Sequence, residues 1–266
     1  MVVRGIAVVR VEEQVQPESK RCATAMDGAV PIVGSIARIS GPTRLSQRPG
    51  PSHERRVALT FDAEHPDRPG SRPDATERLL DLLAAAGVPA TFFLQGRWAE
   101  AYPTTARRIA AEGHLVGSHS FFHASLPLLS EEGLVEDVAR AERAIGEATG
   151  VVPRPWFRCP FGEGSADPRI ISAIARLGYR HVGWDVDAED WQPARTVHQI
   201  ERTIVRGATT RRACVVLLHG WPPHTVPAVA AAIEALRSLD VAFITVGELA
   251  DREPLTSLPG ELEGVP

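Results

Sequence analysis

The stretch VALTFDAEH, from Val57 to His65, joins a run of apolar residues to a cluster of ionisable ones. Val57 to Phe61 is predicted to form a buried strand, because its residues are mostly apolar and favour extended backbone. Asp62 and Glu64 follow, and their side chains point to the same side while the chain stays extended. A strand that presents two carboxylates at its carboxyl end is typical of the functional edge of a parallel α/β sheet.

Beyond this strand, short apolar runs alternate with amphipathic stretches that end at Gly or Pro. The predicted strands are 57–61, 90–94, 115–116, 157–161, 180–186, 213–218 and 241–246. The predicted helices are 74–86, 99–112, 130–149, 168–178, one that begins at Thr196, and 225–239. This repeated β-then-α alternation predicts a single α/β domain, a distorted (β/α) barrel with a largely parallel sheet.

The chain is expected to have three parts. Residues 1–54 are rich in Pro, Ser, Gly and Arg and are predicted to be a poorly ordered arm. Residues 55–250 form the predicted barrel, and residues 251–266 form a frayed tail. The three cysteines are widely spaced, which suits neither a disulfide framework nor a zinc knuckle, so we expect them to be reduced.

Composition excludes several classes of function. The chain is 44% hydrophobic and 23% charged, with a net charge of −4, so it has ample material for a core and no basic stripe for nucleic acid. Charged residues interrupt every apolar run before it reaches the roughly 18 residues of a membrane-spanning helix. The amino terminus lacks a long apolar segment followed by a cleavage site, so a cytoplasmic location is expected. The oligomeric state is left open.

Polar candidates follow the predicted strands, where the loops of a parallel barrel gather functional side chains. They are Asp62, Glu64, His119, Arg158, Asp187, Asp190 and His219. His119 and His123 are four residues apart, so one helical turn would let both imidazoles share a metal ion. A third ligand from the acidic run after the first strand would give a two-histidine, one-carboxylate site. An isolated H-x-x-x-H, however, is more often a pair of ordinary surface histidines.

Five motifs in order decide between these interpretations. They are TFDAEH (60–65), GSHSFFH (117–123), FRCPFG (157–162), DAEDW (187–191) and LLH (217–219). Together they resemble the ordered motifs of the polysaccharide deacetylases, carbohydrate esterase family four, which share the NodB homology domain. ATFFLQG (90–96) is similar to a further stretch common in that family. The resemblance covers about residues 57–249 and implies a distorted (β/α) barrel, in agreement with the alternation.

The resemblance also implies a role for each matching residue. Asp62 matches the general base, and Arg158 matches the arginine that pairs with it. His119 and His123 match two metal ligands. His219 matches the general acid, oriented by Asp190. The substrate-binding positions are Trp191 and Leu217 as walls of the acyl pocket, the main-chain N–H of Phe161 as an oxyanion donor, and Asp187.

One position departs from the family pattern. The usual first motif is TFDDGP, whose second aspartate binds the metal, and this chain has Ala63 there. Since alanine cannot bind a metal, Glu64 is the expected substitute, with His65 or water as alternatives. We expect one divalent ion, Zn²⁺ with Co²⁺ or Ni²⁺ as alternatives, and hydrolysis of an amide C–N bond in an acetylated amino sugar or related metabolite, as a small molecule or a glycan. Two alternatives are a cyclic amide or ureide hydrolase, and a carbohydrate-binding relative that lost turnover through Ala63.

Overall fold

The structure is a computed structural model that describes residues 55–67 and 74–252. The predicted arm, residues 1–54, and residues 253–266 of the predicted tail lie outside this range. The strands are β1 (Arg55–Ala63), β2 (Thr91–Leu94), β3 (Leu115–Ser118), β4 (Trp156–Phe157), β5 (Arg180–His181), β6 (Val186–Asp187), β7 (Ala213–His219) and β8 (Val241–Phe243). The helices are α1 (Ala75–Ala86), α2 (Gly96–Ala101), α3 (Pro103–Ala111), α4 (Glu131–Thr149), α5 (Pro168–Arg176), α6 (Val197–Thr210), α7 (Thr225–Ser238) and α8 (Val246–Arg252).

The strands form one parallel sheet that curls into a distorted barrel. Its order is β5-β4-β3-β2-β1-β7-β6, and β8 pairs with the first residues of β1. Within the described residues β5 and β6, at the two ends of this order, have no ladder between them. The predicted distorted, largely parallel barrel is therefore confirmed, with an open seam between β5 and β6.

Alternation along β1 separates the core from the site. Val57, Leu59, Phe61 and Ala63 face outward into the main apolar core beneath the helices. The intervening residues face the barrel interior, where Ala58 packs in a smaller apolar cluster with residues such as Phe93 and Val215. Because side chains alternate on a strand, the next inward positions after this cluster carry polar groups at the carboxyl end.

The predicted helix 99–112 is wrong in its bounds, because the chain forms two helices there. Tyr102, with φ −126° and ψ 55°, separates α2 from α3. Pro103 occupies the first turn of α3, where its lack of an N–H carries no penalty. A residue before proline disfavours helical backbone, so this dipeptide marks the boundary.

Three predicted strands are shorter in the structure. Residues 157–161 continue from β4 into a one-turn 3₁₀ helix at Pro160–Gly162, and residues 241–246 leave β8 after Phe243 to begin α8. Residues 180–186 pair only at their two ends, as β5 and the start of β6. Apolar content alone does not reveal these ends, since each depends on whether a neighbouring strand continues alongside. No helix among residues 55–67 and 74–252 is long and apolar enough to cross a membrane.

Candidate active site at the carboxyl ends of the strands

Parallel pairing brings two ionisable side chains to adjacent positions. Asp62, near the end of β1, lies opposite His219, the last residue of β7, in the register of these strands. The loop after β7 is anchored there, because the Gly220 N–H donates to the Asp62 carbonyl over 3.0 Å. The predicted base and acid therefore lie side by side at the same edge of the sheet.

Glu64 lies between the two predicted histidine ligands. Its Oε2 atom is 2.6 Å from His123 Nε2 and 3.3 Å from His119 Nε2. Ligand atoms of these three buried residues all lie within 4.8 Å of one another. The set includes Glu64 and leaves out His65, whose Nε2 contacts the other carboxylate oxygen at 3.3 Å.

Burial and hydrogen bonding have opposite effects on the pKa of Glu64. Burial raises the pKa of this carboxyl group, but hydrogen bonds from His119 and His123 outweigh it, so the pKa lies well below its ordinary value. Glu64 is only 5% exposed, and a charge so buried is stable only when it is paired. Two imidazoles and a carboxylate are the donor set of many hydrolytic zinc sites, so the residues present fit a divalent cation.

A main-chain hydrogen bond orients His119 towards the carboxylates. Its Nδ1 donates to the Arg158 carbonyl over 2.9 Å, which directs Nε2 towards Glu64 and leaves it 3.4 Å from Asp62 Oδ2. Second contacts of this kind fix the tautomer and ring position of metal-binding histidines. His123 has no such partner, and its buried Nδ1 lacks a hydrogen bond within the described part of the chain.

The loop that carries both histidines is held by Asp137 of α4. Its carboxylate accepts the backbone N–H groups of Phe121 and Phe122 over 2.9 and 3.1 Å. Ser120 and His123 have φ values of 61° and 57°, in the left-handed region that side chains disfavour. The buried carboxylate thus stabilises a strained turn. This strained turn is present where the H-x-x-x-H spacing predicted a helical turn.

Arg158 connects Asp62, the predicted base, to the open seam of the sheet. Its Nη1 donates to Asp62 Oδ1 over 2.8 Å, while Nε and Nη2 donate to the carbonyls of Val182 and Gly183 over 3.2 Å each. The guanidinium is fully buried and stacks 4.1 Å from the ring centre of Phe93. All three nitrogens are therefore satisfied, and Asp62 is fixed in one orientation.

Asp190 fixes His219 in the same way. The Nδ1 atom of His219 lies 2.8 Å from Asp190 Oδ1, and Oδ2 accepts the His219 N–H and the Thr225 hydroxyl. Burial lowers the pKa of His219, but Asp190, and then Glu64 and Asp62, raise it to about 9. The imidazole therefore carries a proton at neutral pH, with Nε2 facing the carboxylates.

The predicted substrate-binding residues lie near the carboxyl ends of β4, β6 and β7. Leu217 is buried in β7 and pairs in register with Asp187. Phe161 is 62% exposed, has a φ of 58°, and its ring centre lies 4.4 Å from that of His123. Trp191 directly follows Asp190 and is 43% exposed. Burial raises the pKa of Asp187, which accepts the Glu189 N–H.

Sequence reasoning missed three residues that contact the site. Trp221 donates its indole N–H to Glu64 Oε1 over 3.3 Å, Gln95 accepts the His65 N–H over 2.9 Å, and Asp137 holds the histidine loop. Trp221 follows His219 by two positions, which marks it as near the mouth without giving it a partner. Gln95 and Asp137 act on backbone groups, so no side-chain pattern predicts them.

Comparison with known proteins identifies the family of the chain. Residues 50–182 match the polysaccharide deacetylase family, which is half of the chain. The chain belongs to the polysaccharide deacetylase family. A chitooligosaccharide deacetylase from Rhizobium leguminosarum bv. trifolii is 34% identical over 176 residues, which cover 66% of this chain and 76% of that protein. The resemblance carried by the five motifs is confirmed.

Solved structures with the same fold include an esterase and a pseudoenzyme of the family. A family 4 carbohydrate esterase from Streptomyces lividans, in complex with acetate, matches with a TM-score of 0.65 and 28% identity, over 76% of this chain and 95% of that chain. A family 4 pseudoenzyme from Bacillus anthracis matches with a TM-score of 0.65 and 25% identity, over 73% and 65% of the two chains. Because the family includes a pseudoenzyme, membership of the family does not by itself show that this chain turns over a substrate.

Replacing Asp137 with Asn tests how the protein holds the loop that carries His119 and His123. The side-chain amide has one acceptor oxygen for two backbone N–H groups, so one buried donor loses its partner. We expect a loss of about 1–3 kcal/mol in the free energy of unfolding, measured by urea denaturation. The control is Glu136→Gln, which removes an exposed ion pair with Arg143 on the same helix and should change stability by less than about 0.5 kcal/mol. Equal effects of the two changes would contradict the assigned role.

Proposed function

We propose that this protein is a metal-dependent N-deacetylase that hydrolyses the amide C–N bond of an N-acetylated amino sugar, free or within a glycan. One observation supports this most directly: a carboxylate oriented by Arg158, an imidazole oriented by Asp190 and a His, His, Glu donor set converge on one space. Amide hydrolysis needs these three elements, namely a base for water, an acid for the departing nitrogen and a means of polarising the carbonyl.

The donor set is proposed to hold one divalent cation, Zn²⁺ in preference to Co²⁺ or Ni²⁺. Glu64, His119 and His123 would bind it, and Glu64 would replace the aspartate that is absent at Ala63. When bound, such an ion supplies a Lewis acid that polarises the acyl carbonyl and lowers the pKa of water. The fit rests on donors that are buried and preorganised, because His119 is fixed by a carbonyl and Glu64 is held between the rings.

Asp62 is proposed to take the proton from the attacking water. Its Oδ1 is bound by Arg158, so Oδ2, 3.4 Å from His119 Nε2, remains on the side of the donor set. A base held by a buried guanidinium cannot rotate away, and its geometry is set before substrate arrives. Preorganisation of this kind lowers the cost of reaching the transition state.

His219 is proposed to return a proton to the nitrogen. Asp190 binds Nδ1, so the proton on Nε2 faces the reacting groups. With a pKa near 9 the imidazole is protonated at neutral pH and can protonate the nitrogen as the C–N bond breaks. The products are then a free amine and acetate, with the water molecule divided between them.

The rim of the site supports a sugar as the substrate class. Phe161 and Trp191 present exposed aromatic faces beside polar catalytic groups, and such faces suit the apolar face of a sugar ring. The buried apolar side chain of Leu217 suits one wall of a small acetyl pocket. The Phe161 main-chain N–H, in a left-handed turn, and Asp187 are proposed as further substrate contacts. The relative from Rhizobium is named for a substrate of this class.

A binding-only role is the second candidate, and Ala63 is the observation that favours it. This residue is 1% exposed and packs in the apolar core, so it contributes nothing to the site. Glu64 argues against loss of function, because it supplies a carboxylate from the next residue, on the inward side of the strand. The two candidates differ in whether Glu64 binds metal and whether acetate is released.

The main test is release of acetate from N-acetylglucosamine oligomers by purified protein, after removal of metal with a chelator and after return of Zn²⁺. We expect activity only with Zn²⁺, and we expect Asp62→Asn to abolish it while Zn²⁺ content stays near that of the wild type. Ring opening of cyclic amides is measured in parallel. Activity on cyclic amides alone, or bound sugar without acetate release, would contradict the proposal.

The ligand assignment predicts that Glu64→Ala lowers Zn²⁺ occupancy, measured by metal analysis after dialysis. Adding Ala63→Asp to this variant should not restore binding, since the side chain at position 63 points into the core. It should instead lower stability by burying an unpaired carboxylate. Restoration of Zn²⁺ binding by Asp at position 63 would overturn the assignment of Glu64, as would unchanged occupancy in Glu64→Ala.

The acid role of His219 predicts a dependence on the leaving group. His219→Ala should reduce kcat/KM for an N-acetyl amide by about 100-fold or more, because an amine leaves only when its nitrogen is protonated. An activated aryl acetate has a leaving group that needs no proton, so its hydrolysis should fall much less. Both rates are measured on the same Zn²⁺-loaded preparation. Equal losses on amide and ester would be incompatible with the assignment.

A further inference from the structure

The two oxygens of Glu64 have separate sets of partners. Oε2 faces the rings of His119 and His123 at 3.3 and 2.6 Å. Oε1 accepts the indole N–H of Trp221 over 3.3 Å and lies 3.3 Å from His65 Nε2. A carboxylate that is free to rotate would exchange its two oxygens, so these outer contacts select which oxygen faces the donor set.

Trp221 lies on a loop that is anchored on both sides. On one side, Gly220 donates its N–H to Asp62 and accepts the Thr76 hydroxyl, and a Cβ at Gly220 would come within 2.9 Å of that hydroxyl oxygen. On the other side, His224 Nδ1 bonds the Arg195 carbonyl over 2.8 Å. The indole is therefore presented to Glu64 from a fixed backbone.

We propose that Trp221 is a positioning residue that holds Glu64 as a single-oxygen metal ligand, an inference that rests on the proposed metal-dependent function. The indole N–H binds Oε1, and this leaves Oε2 alone to face the cation. Tryptophan suits this task because its N–H is a donor only and never competes for the metal. Outer contacts of this type alter metal affinity by about 10–100-fold when removed.

The first test is Zn²⁺ affinity measured by competition with a chromophoric chelator. Trp221→Phe keeps an aromatic ring and removes the N–H, and we expect its Kd for Zn²⁺ to rise about tenfold or more. The matched control is Trp156→Phe, the same substitution at a tryptophan that packs in the apolar cluster of the barrel interior, for which we expect an unchanged Kd. Equal affinities of the wild type and Trp221→Phe would overturn the inference.

Melting temperatures with and without Zn²⁺ separate positioning from packing. A positioning role predicts that Trp221→Phe unfolds near the wild-type temperature after chelation. It also predicts that Zn²⁺ raises the melting temperature of the variant less than that of the wild type, because stabilisation by a ligand increases with its affinity. An equal loss with and without Zn²⁺ would identify Trp221 as a packing residue and overturn the proposal.

The Co²⁺-loaded proteins give a spectroscopic signature. In Trp221→Phe, Oε1 loses the indole N–H and keeps only the contact with His65, so it can turn towards the metal, and the visible bands of a four-coordinate site should weaken. An unchanged spectrum would place any effect away from Glu64 and contradict the proposal. If the wild type itself binds no Zn²⁺, the proposed function fails; if the wild type binds and Trp221→Phe matches it, only the role of Trp221 fails.

Discussion

The buried ion pair between Arg158 and Asp62 is the interaction on which the site depends. A fully buried guanidinium is stable only when its charge is compensated and its N–H groups are satisfied, and Asp62 supplies that charge across 2.8 Å. The main-chain carbonyl of Arg158 accepts a hydrogen bond from His119, and Nε and Nη2 of its side chain donate to the carbonyls of Val182 and Gly183. One residue thereby fixes the proposed base, a predicted metal ligand and the seam where the sheet lacks a ladder.

This arrangement explains how an open sheet supports a rigid site. The carbonyls of Val182 and Gly183 would bond a neighbouring strand in a closed barrel, and here a side chain satisfies them instead. Stability and orientation of the base are consequently linked at Arg158. A change at this residue would leave a buried carboxylate unpaired and the seam unsatisfied together, so it would not report on chemistry alone.

The parts of the molecule that could be predicted from sequence are those set by local rules. The apolar run from Val57 to Phe61 indicates the strand, the alternation of side chains in an extended chain puts Asp62 and Glu64 on one side, and the ordered motifs indicate the family. The break at Tyr102 was missed because the following Pro103 also begins a helix well. The shortened strand at residues 180–186 depends on the guanidinium of Arg158, a residue just after β4. Likewise, the contact of Trp221 with Glu64 joins residues 157 positions apart, which no periodicity reveals.

Left-handed backbone at residues other than glycine is concentrated around the site. Five of the six such residues within the described range lie in its loops, namely His65, Ser120, His123, Phe161 and Glu189. Each costs on the order of 1 kcal/mol that the surrounding contacts must offset. The edge of the barrel that carries the candidate site is therefore the part in which backbone strain lowers stability most. Substitutions that make the barrel more heat-resistant by relaxing these turns would do so at the expense of the geometry that the turns maintain.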